Sequence, residues 1–325
     1  MLRLAAGGAA LAYAMVVHDL EAVLARLRDL DAGWLVVAAA LIYGALMIRS
    51  VKWQSILACF GQREPLGRLW RLYVESCFFN LLFPGNVAGD LARITRSSTE
   101  GRFSVLAVMG VVLERLSGLL MTAVFVAVVA LAGGYRGLGA AGPAIAAFSL
   151  LAVATLAVVP LGLRSIPAPT HTIPTAWRPR LSRLADQLRR SATLVTSHPR
   201  VVWRLLALSL VFVAGSGATA VALGRAIGSP IPDHLLMLYT PLLALVITLP
   251  LSVVGLGVRE NLYVIAYSAL GFPAEDALAL ALAESALLVI VSLSGGLLLW
   301  RPAAVIRGAA VNAPNAPRSG GAEHE

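Results

Sequence analysis

Between Phe78 and Arg93 the chain reads Phe78-Phe79-Asn80-Leu81-Leu82-Phe83-Pro84-Gly85-Asn86-Val87-Ala88-Gly89-Asp90-Leu91-Ala92-Arg93. This stretch is apolar enough to enter a membrane, yet it carries a proline, two glycines, two asparagines and an Asp/Arg pair. In hydrocarbon every backbone N–H and C=O needs an internal partner, so irregular backbone survives only where protein buries it or where it lines a wet cavity. Pro84 removes a helical donor and Gly85 frees the backbone beside it. Asp90 and Arg93 are costly at that depth unless paired or solvated. The segment is therefore expected to dip into the membrane, break and return, with its polar break facing a cavity.

A related segment lies 166 residues later, from Thr248 to Asn261. Superposed on the first, it pairs Leu72 with Leu238, Tyr73 with Tyr239, Pro84 with Pro250, Val87 with Val253, Gly89 with Gly255 and Arg93 with Arg259. The shared frame is Pro, four residues, Gly, three residues, Arg. A chance alignment remains the alternative, but two Gly/Pro-interrupted apolar segments in corresponding halves are the sequence pattern of a transporter's binding site.

Composition sets the class. Of 325 residues 58% are hydrophobic and 13% charged, against about 25% charged in soluble domains, so an all-α polytopic membrane protein is expected. The net charge of +9 comes from 26 basic and 17 acidic residues, with Lys52 the sole lysine. The arginines sit in short loops between apolar runs rather than on a basic domain, which argues against nucleic acid as a partner. Cys59 and Cys77 make no disulfide framework, and the scattered histidines lack ligand spacing, so neither a metal nor another cofactor is expected.

The apolar runs predict about six full spans plus two re-entrant, broken hairpins. Leu4 to Val17 is short for a span; a retained span is expected, with a signal peptide ending near Ala12-Tyr13-Ala14 as the alternative. His18 to Asp31 puts Leu20, Val23, Leu24, Leu27 and Leu30 on one face and reads as an interfacial amphipathic helix. Further spans are expected at about Trp34 to Ile48, ending in an Arg49, Lys52 and Trp53 interfacial anchor, then Ser104 to Ala132, Pro143 to Leu163, Leu205 to Ile227 and Ala277 to Trp300. The broken segments fill the gaps before the second and after the fourth of these. Arg164 to Arg204 forms the longest polar connection, with a basic amphipathic stretch around Leu181, Leu184 and Leu188 suited either to an anionic leaflet or to a solvated linker.

Residues 49–71, 93–102, 164–204 and 301–325 hold nineteen of the 26 basic residues, which places them in the cytoplasm. Both termini are then cytoplasmic. The first hairpin enters from the cytoplasm and the second from outside, so residues 1–303 form one transmembrane domain of inverted halves, about 1–132 and 143–300, followed by a disordered tail over 304–325. Such halves suit an alternating-access carrier.

The candidate site combines Asn80, Pro84, Gly85, Gly89, Asp90, Arg93, Glu114, Arg115, Gly255, Gly257, Arg259, Glu260 and Glu284. Arg93 and Arg259 suit an anionic headgroup because a guanidinium stays charged and bonds phosphate bidentately, with broken-helix N-termini adding N–H donors; Arg93 reads equally as a cytoplasmic anchor. Glu114 and Glu284 either balance the arginines, through Arg115 or Arg259, or couple transport to protons. Asn80, Asn86 and Asn261 are placed to cap the broken ends, and Glu75 to face the cytoplasm.

The stretch Phe78 to Arg93, the downstream Val112-Leu113-Glu114-Arg115-Leu116 and the late Val254-Gly255-Leu256-Gly257-Val258-Arg259-Glu260 resemble, in order and spacing, the flippase-like membrane family that includes the transmembrane domain of bacterial lysylphosphatidylglycerol synthases. The resemblance implies a multi-pass protein of the bacterial plasma membrane that translocates an anionic phospholipid or lipid-linked intermediate. Relatives joined to a soluble aminoacyl-transferase domain modify phosphatidylglycerol; with no such domain after the last span, no aminoacyl transfer and no enzymatic activity are expected. Two alternatives stand beside it. One is a membrane-embedded transferase in lipid-linked glycan or hopanoid synthesis, with His234, Asp233, Glu275 and Asp276 as the acids and base at hand; the other is a scaffold or regulator. The expected partners are membrane lipids of anionic-headgroup or polyprenyl-phosphate type. A homodimer stays open, since Gly and Ala in the spans permit close contacts between copies or within one.

Overall fold

The computed structural model describes residues 20–82, 87–97, 105–139, 141–164, 182, 186, 189–190, 193–194, 197–248 and 255–300. Among these the chain is helical, with no strand. The α-helices are α1 (Leu20–Arg28), α2 (Ala32–Cys59), α3 (Leu66–Leu82), α4 (Val87–Ser97), α5 (Val105–Leu131), α6 (Ala141–Arg164), α7 (Pro199–Ala226), α8 (Asp233–Thr248), α9 (Gly255–Ser268) and α10 (Ala274–Trp300), with one 3-10 turn at Arg136–Leu138. Five of them, α2, α5, α6, α7 and α10, are long and apolar enough to cross a membrane. They correspond to five of the six expected spans; the sixth, Leu4 to Val17, lies outside the described residues, as do Leu181, Leu184, Leu188 and the tail.

One boundary is corrected. The span expected to stop at Ile48 continues as α2 through Arg49 and Lys52 to Cys59. Charged residues end a span only when lipid is what they would meet, and here Lys52 and Trp53 are buried against protein. They therefore do not form the anticipated interfacial anchor. At its start α2 is capped by Asp31, whose carboxylate accepts the N–H groups of Gly33 and Trp34 at 2.7 and 3.1 Å.

α2 and α7 pack antiparallel. The Asp31 N–H donates to the carbonyl of Ala226 at 2.9 Å, while Ile56 and Leu205 share an apolar cluster with Met109 and Leu113 of α5 at the other end. α5 also runs antiparallel to α2, with Gly110 under Trp53, where a Cβ would come within 2.8 Å of the indole nitrogen.

The two interrupted segments are helical on both sides of each break. The interrupting residues, Pro84, Gly85 and Asn86 in one and Pro250 in the other, lie outside the described residues. α4 folds back along α3: Gly89 meets Asn80, and farther out the Arg68 side chain donates to the carbonyl of Arg96 at 3.4 Å. Similarly α9 folds back on α8, bringing the rings of Tyr239 and Tyr267 to 6.1 Å. With 17 residues in α3 and 16 in α8, each entering arm is about 25 Å long, short of the roughly 30 Å hydrocarbon thickness.

α3 begins beside the end of α2, whereas α8 follows α7, whose end is bonded to the start of α2. The hairpins thus open toward opposite ends of α2. α10 runs past both. Near its middle it meets α9, where Tyr263 and Ser285 make cross-helix bonds. Near its end Gly295 lies against the carbonyl of Val74 and Gly296 against the ring of Phe78.

α1 packs against the rest of the chain. Val23 is buried and Leu27 and Leu30 pack on the same protein core, while Arg26 pairs with Asp276 of α10 at 2.9 Å. Part of its apolar face therefore rests on the protein, while Leu24 on the same face stays exposed.

Candidate functional site

Among the described residues two groups of charged side chains lie one at each hairpin. The first is built from four helices. α2 supplies Arg49, Lys52 and Trp53, whose spacing of three and four residues puts them on one face. α3 supplies Tyr73, α4 Asp90 and Arg93, and α5 Glu114 and Arg115.

Glu114 is the hub. Its carboxylate accepts Arg49 Nε at 3.1 Å and Arg49 Nη2 at 3.3 Å. Lys52 Nζ donates to the Glu114 backbone carbonyl at 3.1 Å and stands 3.9 Å from its carboxylate. Arg93 Nη2 is likewise 3.9 Å from Glu114 Oε2. The expected Glu114–Arg115 pair is not formed, because neighbours in a helix do not face each other; Arg115 turns instead to Asp90, at 2.5 Å.

Arg93 is 1% exposed, which removes it from the role of an interfacial anchor. Its guanidinium lies over Tyr73, 4.0 Å from the ring centroid, and 5.3 Å from that of Trp53. One nitrogen donates to Asp90. The other two, Nε and Nη1, are buried without a hydrogen-bond partner among the described residues. Stacking of a desolvated guanidinium on aromatic faces contributes about 2 kcal/mol and helps to keep the charge there.

Beside this group Glu75, expected to face the cytoplasm, is buried. It accepts Arg71 at 2.8 Å and is paired with Arg96 at 2.9 Å, while Arg71 also donates to the carbonyl of Leu298 at 2.7 Å. A buried carboxylate between two arginines costs less than one left unpaired, and the bridge ties α3 to α4 and α10.

In the second group Arg259 lies 3.5 Å from Glu284, and Tyr263 donates to Glu284 Oε2 at 2.7 Å. Ser285 donates to the buried Glu260 at 2.9 Å. A row of rings continues from Tyr263 through Tyr267 and Tyr239 to Tyr135 in the turn after α5, at centroid separations of 5.9, 6.1 and 5.1 Å. Arg93 and Arg259 thus sit in different groups. On α10 Glu284 of the second group and Leu298, whose carbonyl accepts Arg71 beside the first, are separated by about 21 Å at 1.5 Å per residue.

Other sequence-designated residues have local tasks. Asn80 Oδ1 accepts the Gly89 N–H at 2.7 Å, and a Cβ on Gly89 would stand 2.5 Å from the carbonyl oxygen of Ser76; glycine permits the close approach. Asn80→Ala is expected to lower stability by about 1 kcal/mol, the usual value of a helix-end cap, measured by thermal unfolding in micelles. Gly255 opens α9 and Gly257 lies in its first turn. Asn261 falls in the second turn of α9. Pro84, Gly85 and Asn86 lie outside the described residues.

Sequence reasoning missed Arg49, Lys52, Trp53 and Tyr73 as parts of the first group. The available signals were a sole lysine one turn from an arginine and beside a tryptophan, and a tyrosine recurring at the repeat offset.

A family model described as the lysylphosphatidylglycerol synthase TM region matches residues 1–296. No curated protein matches the chain, and neither does any solved structure.

Proposed function

Because the chain belongs to the lysylphosphatidylglycerol synthase TM region family, multi-pass membrane proteins of lipid modification or translocation, we propose that it translocates an anionic phospholipid or lipid-linked intermediate between leaflets. The observation that carries this reading is the first charged group. Four cations, Arg49, Lys52, Arg93 and Arg115, face two carboxylates, Asp90 and Glu114. A cation held in hydrocarbon costs at least about 2.5 kcal/mol on the mildest scale, so a cluster in which cations outnumber carboxylates among the described residues suits an anion. Short hairpins that open toward opposite ends of α2 support access from both faces. In this reading the two halves form an inverted repeat in a bacterial plasma membrane, with the α3–α4 hairpin opening to the cytoplasm, where the basic loops lie.

A transferase reading is less well supported. Asp233 is engaged by Arg225 at 2.5 Å and Asp276 by Arg26 at 2.9 Å, so two of the acids designated for that chemistry are already paired to arginines. Formation of product from a polyprenyl-linked donor by purified protein would favour it.

The test is leaflet exchange in vesicles. Purified protein should accelerate exchange of labelled phosphatidylglycerol or a polyprenyl phosphate, and Arg259→Ala should slow it about tenfold or more, the equivalent of one charge-assisted hydrogen bond. Exchange no faster than in protein-free vesicles across the lipid panel would sink the proposal. Arg93→Ala and Arg259→Ala proteins that keep full cellular function would favour a scaffold.

A further inference from the structure

We propose that the Asp90 carboxylate is a placeholder for substrate phosphate: it occupies the position between Arg93 and Arg115 that a lipid phosphate takes when it binds. The identification of the ligand as a lipid rests on the translocator reading; the site itself rests on geometry.

Each Asp90 oxygen is taken by a different guanidinium, Oδ1 by Arg93 and Oδ2 by Arg115. This is the bridging arrangement that two non-bridging phosphate oxygens make with a pair of arginines. The carboxylate fills it incompletely. Arg93 donates through Nη2 alone, and its Nε and Nη1 stay buried without a partner among the described residues. Unmet buried donors are unfavourable, and a phosphodiester, whose two non-bridging oxygens stand farther apart and whose ester oxygens lie out of their plane, reaches donors that a planar carboxylate does not.

Access and charge agree with this assignment. The side chains of Asp90, Arg115 and Arg49 are 15, 32 and 27% exposed, whereas those of Arg93 and Lys52 behind them are 1 and 2% exposed. An anion therefore approaches from the Arg115 edge and reaches Asp90 before the buried Arg93 and Lys52. Asp90 also lies in the first turn of α4, where the helix end favours negative charge. With Arg49, Lys52 and Arg93 gathered round Glu114, an entering phosphodiester is accommodated even if Asp90 only swings aside.

The experiment is thermal unfolding of the full chain in phosphatidylcholine micelles titrated with phosphatidylglycerol, with inorganic phosphate as a parallel titrant. Wild type should gain stability with phosphatidylglycerol. Asp90→Asn should start lower, because Arg93 and Arg115 lose their shared anion, and respond at about tenfold lower phosphatidylglycerol, since the competitor for one charge-assisted contact is gone. Arg115→Gln should lose most of the response. If Asp90→Asn folds only when phosphatidylglycerol is present, that rescue supports the placeholder; failure to be rescued, or a response equal to wild type, overturns it. An equal response to inorganic phosphate overturns the lipid assignment. Leaflet exchange on the same proteins separates the two ideas. Absent exchange with the expected unfolding shifts removes the translocator and leaves the phosphate site, whereas intact exchange with an unshifted Asp90→Asn removes the placeholder alone.

Discussion

Glu114→Gln is expected to lower the unfolding free energy by about 3–5 kcal/mol, the loss seen when one partner of a buried ion pair is removed. The substitution keeps the shape and removes only the charge. In the native protein the buried carboxylate accepts both Arg49 nitrogens at 3.1 and 3.3 Å and has Lys52 and Arg93 each at 3.9 Å. A neutral amide leaves these three cations facing one another, with Asp90 the remaining carboxylate in the group. Lys52 keeps its bond to the Glu114 backbone carbonyl, so lost hydrogen bonding at Lys52 does not account for the effect. If charge is the cause, the double variant Glu114→Gln with Lys52→Met should be more stable than the sum of the two single changes, by a coupling within the 0.5–3 kcal/mol range typical of contacting residues. Urea unfolding in micelles measures all three proteins. A Glu114→Gln protein as stable as wild type would show that the cations are compensated elsewhere.

Why this hub escaped the sequence follows from its distances along the chain. Arg49 and Glu114 are 65 residues apart, and nothing in either local pattern says that they meet. Taken alone, Arg49, Lys52 and Trp53 have the composition of an interfacial anchor, since the cost of a cation in lipid is visible in the sequence but its remote counter-charge is not. Pairing Glu114 with Arg115 was a different kind of error, correctable from helix geometry alone, because adjacent residues diverge around the axis. The apolar face of α1 posed a true ambiguity: the same periodicity serves a membrane surface or a protein core. What was legible was whatever depends on local chemistry. Proline and glycine inside apolar runs marked the ends of α3 and α8 and the starts of α4 and α9, and uninterrupted apolar length marked the five long helices. Glu284 inside an apolar run reads either as a counter-charge to an arginine such as Arg259 or as a proton carrier, and the structure sets it 3.5 Å from Arg259.

Gly89→Val is expected to cost about 3 kcal/mol, the upper part of the range for overpacking, and to disable the first charged group with it. The Cβ position at Gly89 falls 2.5 Å from the Ser76 carbonyl oxygen and 2.6 to 2.7 Å from the Asn80 amide atoms. Asn80 is a side chain and yields, at the expense of its bond to the Gly89 N–H. Ser76 O is helical backbone, so α4 itself must move away from α3. Arg93 lies one turn further along α4 and is held over Tyr73 and Trp53, so displacement of the helix withdraws its guanidinium from that stack and from Asp90. Gly89→Ala should fall between wild type and Val, because the gain in helix propensity of up to about 1 kcal/mol offsets part of the clash. Gly44→Ala in α2, where a Cβ meets nothing within 4 Å, is the control and should be neutral or stabilising. The ordering Val, Ala, wild type should hold both for urea unfolding and for leaflet exchange. Gly89→Val with wild-type values in both assays would mean that the close contact between α3 and α4 neither stabilises the hairpin nor positions Arg93.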